Sequence, residues 1–238
     1  MRNIKNDRAS TIKQKLALVQ LADSFFPSGS YTLSHGLESL IQQGRIQQPQ
    51  DITDFLQILL HQKIAPGDLV ALVHAYHASA KAEVDKIKYI AELLHFQTAI
   101  ANIRKTQTQS GRALLMVAQS TWQDPLLDTL ARDRALNRFY CLHPVVFGVV
   151  GRVAGLNEAD TVLAFLHGFV TGVLGAAIRL GSLGHLEAQI ILVQLASDIE
   201  TAYQTASAMD LEEMWTCAPA IDIAQMRHSR LTSRLFAN

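Results

Sequence analysis

The sequence predicts an all-α fold: a single helical domain of around ten helices in a chain of 238 residues. Three observations predict it. Apolar residues recur three and four positions apart nearly throughout, the spacing that lines one face of a helix. Proline and glycine stand where those runs start and stop. Alternating apolar–polar runs of the strand type are absent apart from short stretches such as Val145-Val146.

The elements follow in order. Leu33, Leu37, Leu40 and Ile41 form a first stripe, which Gly44 closes as a C-cap glycine. Asp51 is placed to cap a helix carrying Phe55, Ile58, Leu59 and Ile64, and Pro66 is expected to break the chain before Leu69, Val70, Leu72 and Val73. A further helix is expected from about Ala82, then a longer one through Ile100, Ile103, Leu114 and Val117. Pro125 and Pro144 open two more. Glu158 and Asp160 sit where a helix dipole favours acids, ahead of the apolar run Val162 to Ile178, and Leu186 to Ala208 continues the pattern. Ala164, Gly168, Gly172 and Ala176 lie four apart, so they align along one helix face and predict a close helix contact.

No Pro-, Gly- or Ser-rich linker and no internal repeat divides the chain. The expected organisation is a flexible basic arm over 1–15, carrying Arg2, Lys5, Arg8, Lys13 and Lys15, and one helical domain over 16–238. The apolar stretch after the arm is interrupted by Gln20, followed by Asp23 and without a small-x-small cleavage site, so it does not read as a signal peptide. The run Val162 to Ile178 has His167 near its middle and three glycines, which favours a buried core helix over a membrane span.

Hydrophobic residues make up 49% of the chain and charged residues only 18%. Either many helices bury more than one face, or part of the surface is kept for partners. A formal net charge of zero argues against a general nucleic-acid binder, which needs a basic excess. Cys141 and Cys217 show no metal-ligand spacing and are expected as reduced, largely buried thiols of a cytoplasmic protein, although spacing alone leaves a disulfide open.

The sequence holds no GxxxxGK[ST] phosphate loop, no HExxH, no CxxC, no GxSxG and no GxGxxG. His74 and His77, three apart on a helix, are the one pair that suggests a metal, and they keep an alternative reading open: a helical metal-dependent hydrolase with a further ligand. Two segments differ from ordinary core. Phe25-Phe26-Pro27-Ser28-Gly29-Ser30-Tyr31 is an aromatic-rich turn before a helix, and Ala218 to Asn238 carries Arg227, His228, Arg230 and Arg234 beside Leu235-Phe236. On residue types alone the first is equally a helix-entry corner with aromatic packing and the second a frayed terminus; both also combine rigid apolar groups with hydrogen-bonding tips, the chemistry of interface anchors.

These segments resemble the signature blocks of the urease accessory protein F family. The first block is Leu21 to Tyr31 with Ser34, Gly36, Leu37 and Glu38. Gly111-Arg112, His143-Pro144 with Gly148, and Ala176 to Gly181 with Gly184 and Gln189 follow, and Pro219 to Ala224, Met226-Arg227-His228 and Ser233 to Phe236 close the series. The resemblance spans roughly residues 16 to 238, and its order and spacing carry it. It implies an all-helical homodimer without catalysis of its own. The implied partners are urease accessory protein D (H in some organisms), the GTPase accessory protein G and apo-urease, with no nucleic acid and no membrane. Nickel and GTP would be handled by the partner proteins, and this chain would need no cofactor. The positions it assigns to partner binding are Pro27, Gly29, Tyr31, Glu38, Arg179, Arg227, His228, Arg234, Leu235 and Phe236, with Tyr31 and Arg234 foremost.

Overall fold

The computed structural model describes residues 11–27, 33–228, 231 and 233–236. Among these residues every regular element is helical, in the order α1 (Ile12–Ala22), α2 (Leu37–Gln42), α3 (Pro49–Leu59), α4 (Val70–Ala80), α5 (Val84–Gln97), α6 (Ala101–Trp122), α7 (Pro125–Ala135), α8 (His143–Val153), α9 (Glu158–Arg179), α10 (His185–Gln194), α11 (Ala196–Ala208) and α12 (Pro219–His228). The basic arm expected over 1–15 overlaps α1. Lys13 and Lys15 lie in its first turns, and Gln14 donates from Nε2 to the Gly155 carbonyl at 2.8 Å, tying α1 to the entrance of α9.

Local signals explain most boundaries. Asp124 accepts from the Leu126 amide ahead of Pro125, and Asn157 does the same for Asp160 at the start of α9. Gly44 takes a left-handed φ of +67° after α2, and the Arg45 amide reaches back to the Leu40 carbonyl. Two starts differ from expectation. Asp51 does not cap α3; the helix opens two residues earlier at Pro49, and the Asp51 carboxylate accepts from the Gln47 and Gln48 amides. α5 begins at Val84, because Ala82 sits in the left-handed region at φ +53°.

Pro66 does not break the chain. α3 and α4 are joined by a π-helical stretch, Leu60–Leu69, into one continuous rod from Pro49 to Ala80. Proline lacks the N–H that a regular helix would offer to the Gln62 carbonyl. The Cys217 amide serves that carbonyl instead, at 2.8 Å, and the Trp215 amide serves the Pro66 carbonyl at 3.0 Å. Residues 215–217 thus run along the wide turns, so close that a Cβ on Gly67 would come within 2.9 Å of Thr216 Cγ2. Cys217 is exposed here, against expectation, while Cys141 is buried; both are free thiols.

The core gathers around α8, with α4 on one side and α6 on another. Val145, Val146, Val149 and Val150 are buried within it. Glycine sets both approaches. A Cβ on Gly148 would fall 2.2 Å from the Leu72 carbonyl oxygen, and one on Gly111 would fall 2.1 Å from that of Cys141. α9 packs against α1, α8 and α10 and buries Val162, Leu166, Val170, Val173 and Leu174. It is the one helix among the described residues long and apolar enough to cross a membrane, and 56% of its apolar window is buried inside the protein.

The small-residue ridge on α9 makes the contact its spacing predicts only in part: Ala164 and Ala176 are fully buried, and the glycines between them differ. Gly168 would place a Cβ 3.7 Å from the Ala22 carbonyl, but Gly172 meets nothing within 4 Å. Four-residue spacing reports a shared face, and here that face borders a cavity. Gly172→Leu is therefore expected to melt close to wild type. Gly148→Ala should lose about 1–3 kcal/mol, because the added methyl has no room against a backbone oxygen. Thermal melts of the two variants check this assignment of close packing.

Candidate functional site: the C-terminal tail on helix α2

α2 has only six residues, and its sequence puts a carboxylate in the first turn at Glu38. Gly36 precedes it at φ +91°, a conformation that favours glycine, and a Cβ there would lie 3.1 Å from Gln225 Cγ of α12. α12 therefore lies directly on the entrance of α2. The alignment is fixed by polar contacts on the same side. Lys63, from the π-helical stretch, pairs with Asp222 and donates to Gln225 Oε1 at 3.1 Å, while Gln225 Nε2 donates to the His35 carbonyl at 3.1 Å.

With α12 seated, Glu38 is buried and meets the chain's end. Its carboxylate accepts from His228 Nε2 at 2.8 Å, from the Leu235 amide at 2.7 Å and from the Phe236 amide at 3.3 Å. Facing a carboxylate, Nε2 must carry the proton. His228 is fully buried and its Nδ1 has no hydrogen-bond partner, so the Glu38 contact is the one that anchors the ring. Gln42 Nε2 donates to the Ser233 carbonyl at 3.2 Å, and Arg227 donates to Gln43 Oε1 at 3.4 Å. The Arg179 guanidinium lies over the Phe236 ring, 4.4 Å from its centroid. Successive tail residues face opposite ways: Phe236 is 6% exposed and Leu235 61%.

The residues assigned to partner binding thus separate by place. Glu38, His228 and Phe236 are buried inside this chain, with Arg179 stacked on the last of them. Arg227, Arg234 and Leu235 are exposed, as is Pro27 at the other segment. Gly29 and Tyr31 lie outside the described residues. In the same turn Phe26 is buried and stacks on Trp122 with ring centroids 6.4 Å apart, whereas Phe25 is exposed.

A second feature was not visible in the sequence. A cavity of about 560 Å³ opens between α1, α8 and α9, with apolar walls such as Leu18 and Phe169 and a polar end made by His35, Asp68, Gln107 and His143. Gln107 donates from Nε2 to both Asp68 oxygens, at 3.1 and 3.2 Å, and its own Oε1 is unpartnered. Burial pushes the Asp68 carboxyl up to about 6, opposed by Gln107 and Lys63. Burial also pushes the His35 imidazole down to about 4, helped by Lys63 and His143, and His143 down to about 4. These groups come from four separate stretches of chain, so no spacing could have joined them.

His74 and His77 do not converge. His74 Nε2 contacts the Met209 carbonyl at 3.1 Å, and His77 Nε2 pairs with Glu158 at 2.6 Å. Among the described residues no group of three or more His, Cys, Asp or Glu side chains could hold a metal ion. His74 and His77, the pair on which the hydrolase alternative drew, are held by separate partners. Burial raises the Cys141 thiol to about 12, which makes it a poor nucleophile.

The family model for UreF matches residues 46–196, more than half of the chain. The chain belongs to the UreF family. Its similarity to curated members extends well beyond that stretch. A urease accessory protein UreF of Trichodesmium erythraeum is 56% identical over 229 residues, covering 96% of this chain and 99% of the relative. One from Bradyrhizobium diazoefficiens is 30% identical over 211 residues, 89% of this chain and 86% of the relative. Another, from a Bacillus species, is 27% identical over 221 residues, 93% of this chain and 97% of the relative.

The cavity groups fix a pH dependence. His35 and His143 have folded pKa values below the free value of 6.5, so their contribution to stability is present above 6.5 and is lost as pH falls toward 4. Asp68 acts oppositely: its raised folded pKa favours the protein at low pH, and that benefit is lost as pH rises through 6. Two imidazoles outweigh one carboxyl, so the melting temperature should fall between pH 7 and pH 4.5. His143→Asn should flatten that acid limb, as melts across the pH range will show.

Proposed function

We propose that this chain is a non-catalytic scaffold of urease maturation. It bridges urease accessory protein D (or H) and the GTPase accessory protein G on apo-urease, in the cytoplasm, and supports GTP-dependent nickel insertion. Nickel is cargo, and both it and GTP are handled by the partners. The observation that carries this reading is the near full-length similarity to UreF proteins. The tail's form supports it: Arg234 and Leu235 are exposed, as are Ile223, Met226 and Arg227 of α12, and apolar and guanidinium groups exposed on these two segments would make a mixed patch. Such a patch suits a protein surface offering apolar area and carboxylates.

Two further faces fit an assembly. Leu186, Ile190 and Val193 expose one stripe of α10, and Ile12, Leu16 and Val19 one stripe of α1. α1 carries Lys13 and Lys15 and no acid, so self-pairing would bring like charges together. α10 has no Lys or Arg and a single acid, Glu187. We assign α10 to a two-fold homodimer and α1 to a different protein.

Co-purification with accessory proteins D and G tests the scaffold. Arg234→Ala and Tyr31→Ala should leave helicity and melting temperature near wild type and weaken binding to protein D by about thirtyfold, roughly 2 kcal/mol. Normal assembly by both variants would contradict the site assignment. Light scattering should give a dimer at micromolar concentration, and Leu186→Glu with Val193→Glu should give a monomer; a wild-type monomer would contradict the dimer.

A further inference from the structure

We infer that Glu38 is a positioning residue: its buried carboxylate latches the C-terminal tail onto α2 and so fixes the outward face that Arg234 and Leu235 present. The inference deepens the scaffold reading and rests on it for the tail's use, though the latch itself stands on geometry.

Four observations lead to Glu38. First, it sits in the first turn of α2 but does not cap it, since that terminus has no side-chain cap. Its oxygens point to α12 and the tail. Second, its hydrogen bonds come from residues about 190 positions away, His228, Leu235 and Phe236. Two of those donors are consecutive backbone amides, which a carboxylate can accept together through its two oxygens and a neutral side chain cannot match. Third, the carboxylate is 2% exposed, and a buried charge persists only where donors satisfy it. Without the tail Glu38 would keep only His228, so Glu38 and the tail need each other. Fourth, the latch sets direction. Holding the amides of 235 and 236 aims Phe236 inward under Arg179 and leaves Leu235 facing solvent. Burial of Phe236 alone would not fix that register, because an aromatic ring in an apolar site tolerates rotation of the backbone that carries it.

The test is amide hydrogen exchange read at Leu235 and Phe236 in the full chain, with core amides of α4 and α8 as the internal reference. In wild type both tail amides should be protected. Glu38→Gln removes the charge at nearly constant shape and should speed their exchange at least tenfold while the core amides stay at wild-type rates. Should Glu38→Gln fail to fold, His228 decides. His228→Gln keeps an N–H donor and should retain tail protection, and His228→Leu should lose it. Unprotected wild-type amides, wild-type protection in Glu38→Gln, or no difference between the two His228 variants would overturn the latch. Binding to accessory protein D is measured on the same samples. A released tail with weakened binding supports the whole proposal. A released tail with undiminished binding leaves the latch standing and refutes the tail's role as partner surface, whereas lost binding with the tail still protected refutes the latch.

Discussion

The arrangement of the chain's end depends on one missing hydrogen. Pro66 has no N–H, so the helix carrying it cannot close its own ladder at Gln62. The rod stays continuous by widening into π turns and taking a donor from Cys217, with Trp215 supplying another to the Pro66 carbonyl. A buried backbone carbonyl without a partner costs about 1–3 kcal/mol, so this repair fixes residues 215–217 against the rod. α12 begins at Pro219, immediately afterwards, and so starts from an anchored point. Lys63, one residue beyond Gln62, then pairs with Asp222 and Gln225 and seats α12 over α2. The tail's docking on Glu38 is the last consequence of that sequence of constraints.

Electrostatics decides what the docking means. Taking a carboxylate out of water costs several kcal/mol unless charge-assisted hydrogen bonds replace the lost hydration. Glu38 has such bonds from His228 and from two tail amides. Had the tail been only a frayed end, this carboxylate would sit beside α2 half-satisfied. The same logic applies in the cavity, where among the described residues Asp68 has only Gln107 as a hydrogen-bond donor and its carboxyl is pushed up. One buried acid is thus matched with donors and the other is not, and the matched one holds the residues through which the protein is proposed to meet its partners.

Much of the fold was legible because prolines, glycines and caps are local signals. Pro125, Pro144 and Gly44 act where the sequence places them. Pro66 misled because its rescue comes from residue 217, and no local pattern reports a donor from a distant segment. The α9 ridge misled in part for a related reason: spacing identifies a face but not what lies opposite, and the closest approaches are made by Gly111, Gly148 and Gly151. At the site, resemblance singled out Glu38, His228 and Phe236, yet their burial and mutual contact depend on folding two ends of the chain together. A sequence read in order cannot show that these residues touch one another before anything else touches them.

The tail, held on α2, is proposed as the surface through which this UreF-family chain enters its assembly. Hydrogen-exchange footprinting of the wild-type chain with and without accessory protein D tests it most directly. Added protection is expected over Ile223 to Phe236, centred on α12 and the tail. Added protection confined to α5, α6 and α7, with α12 and the tail unchanged, would contradict it.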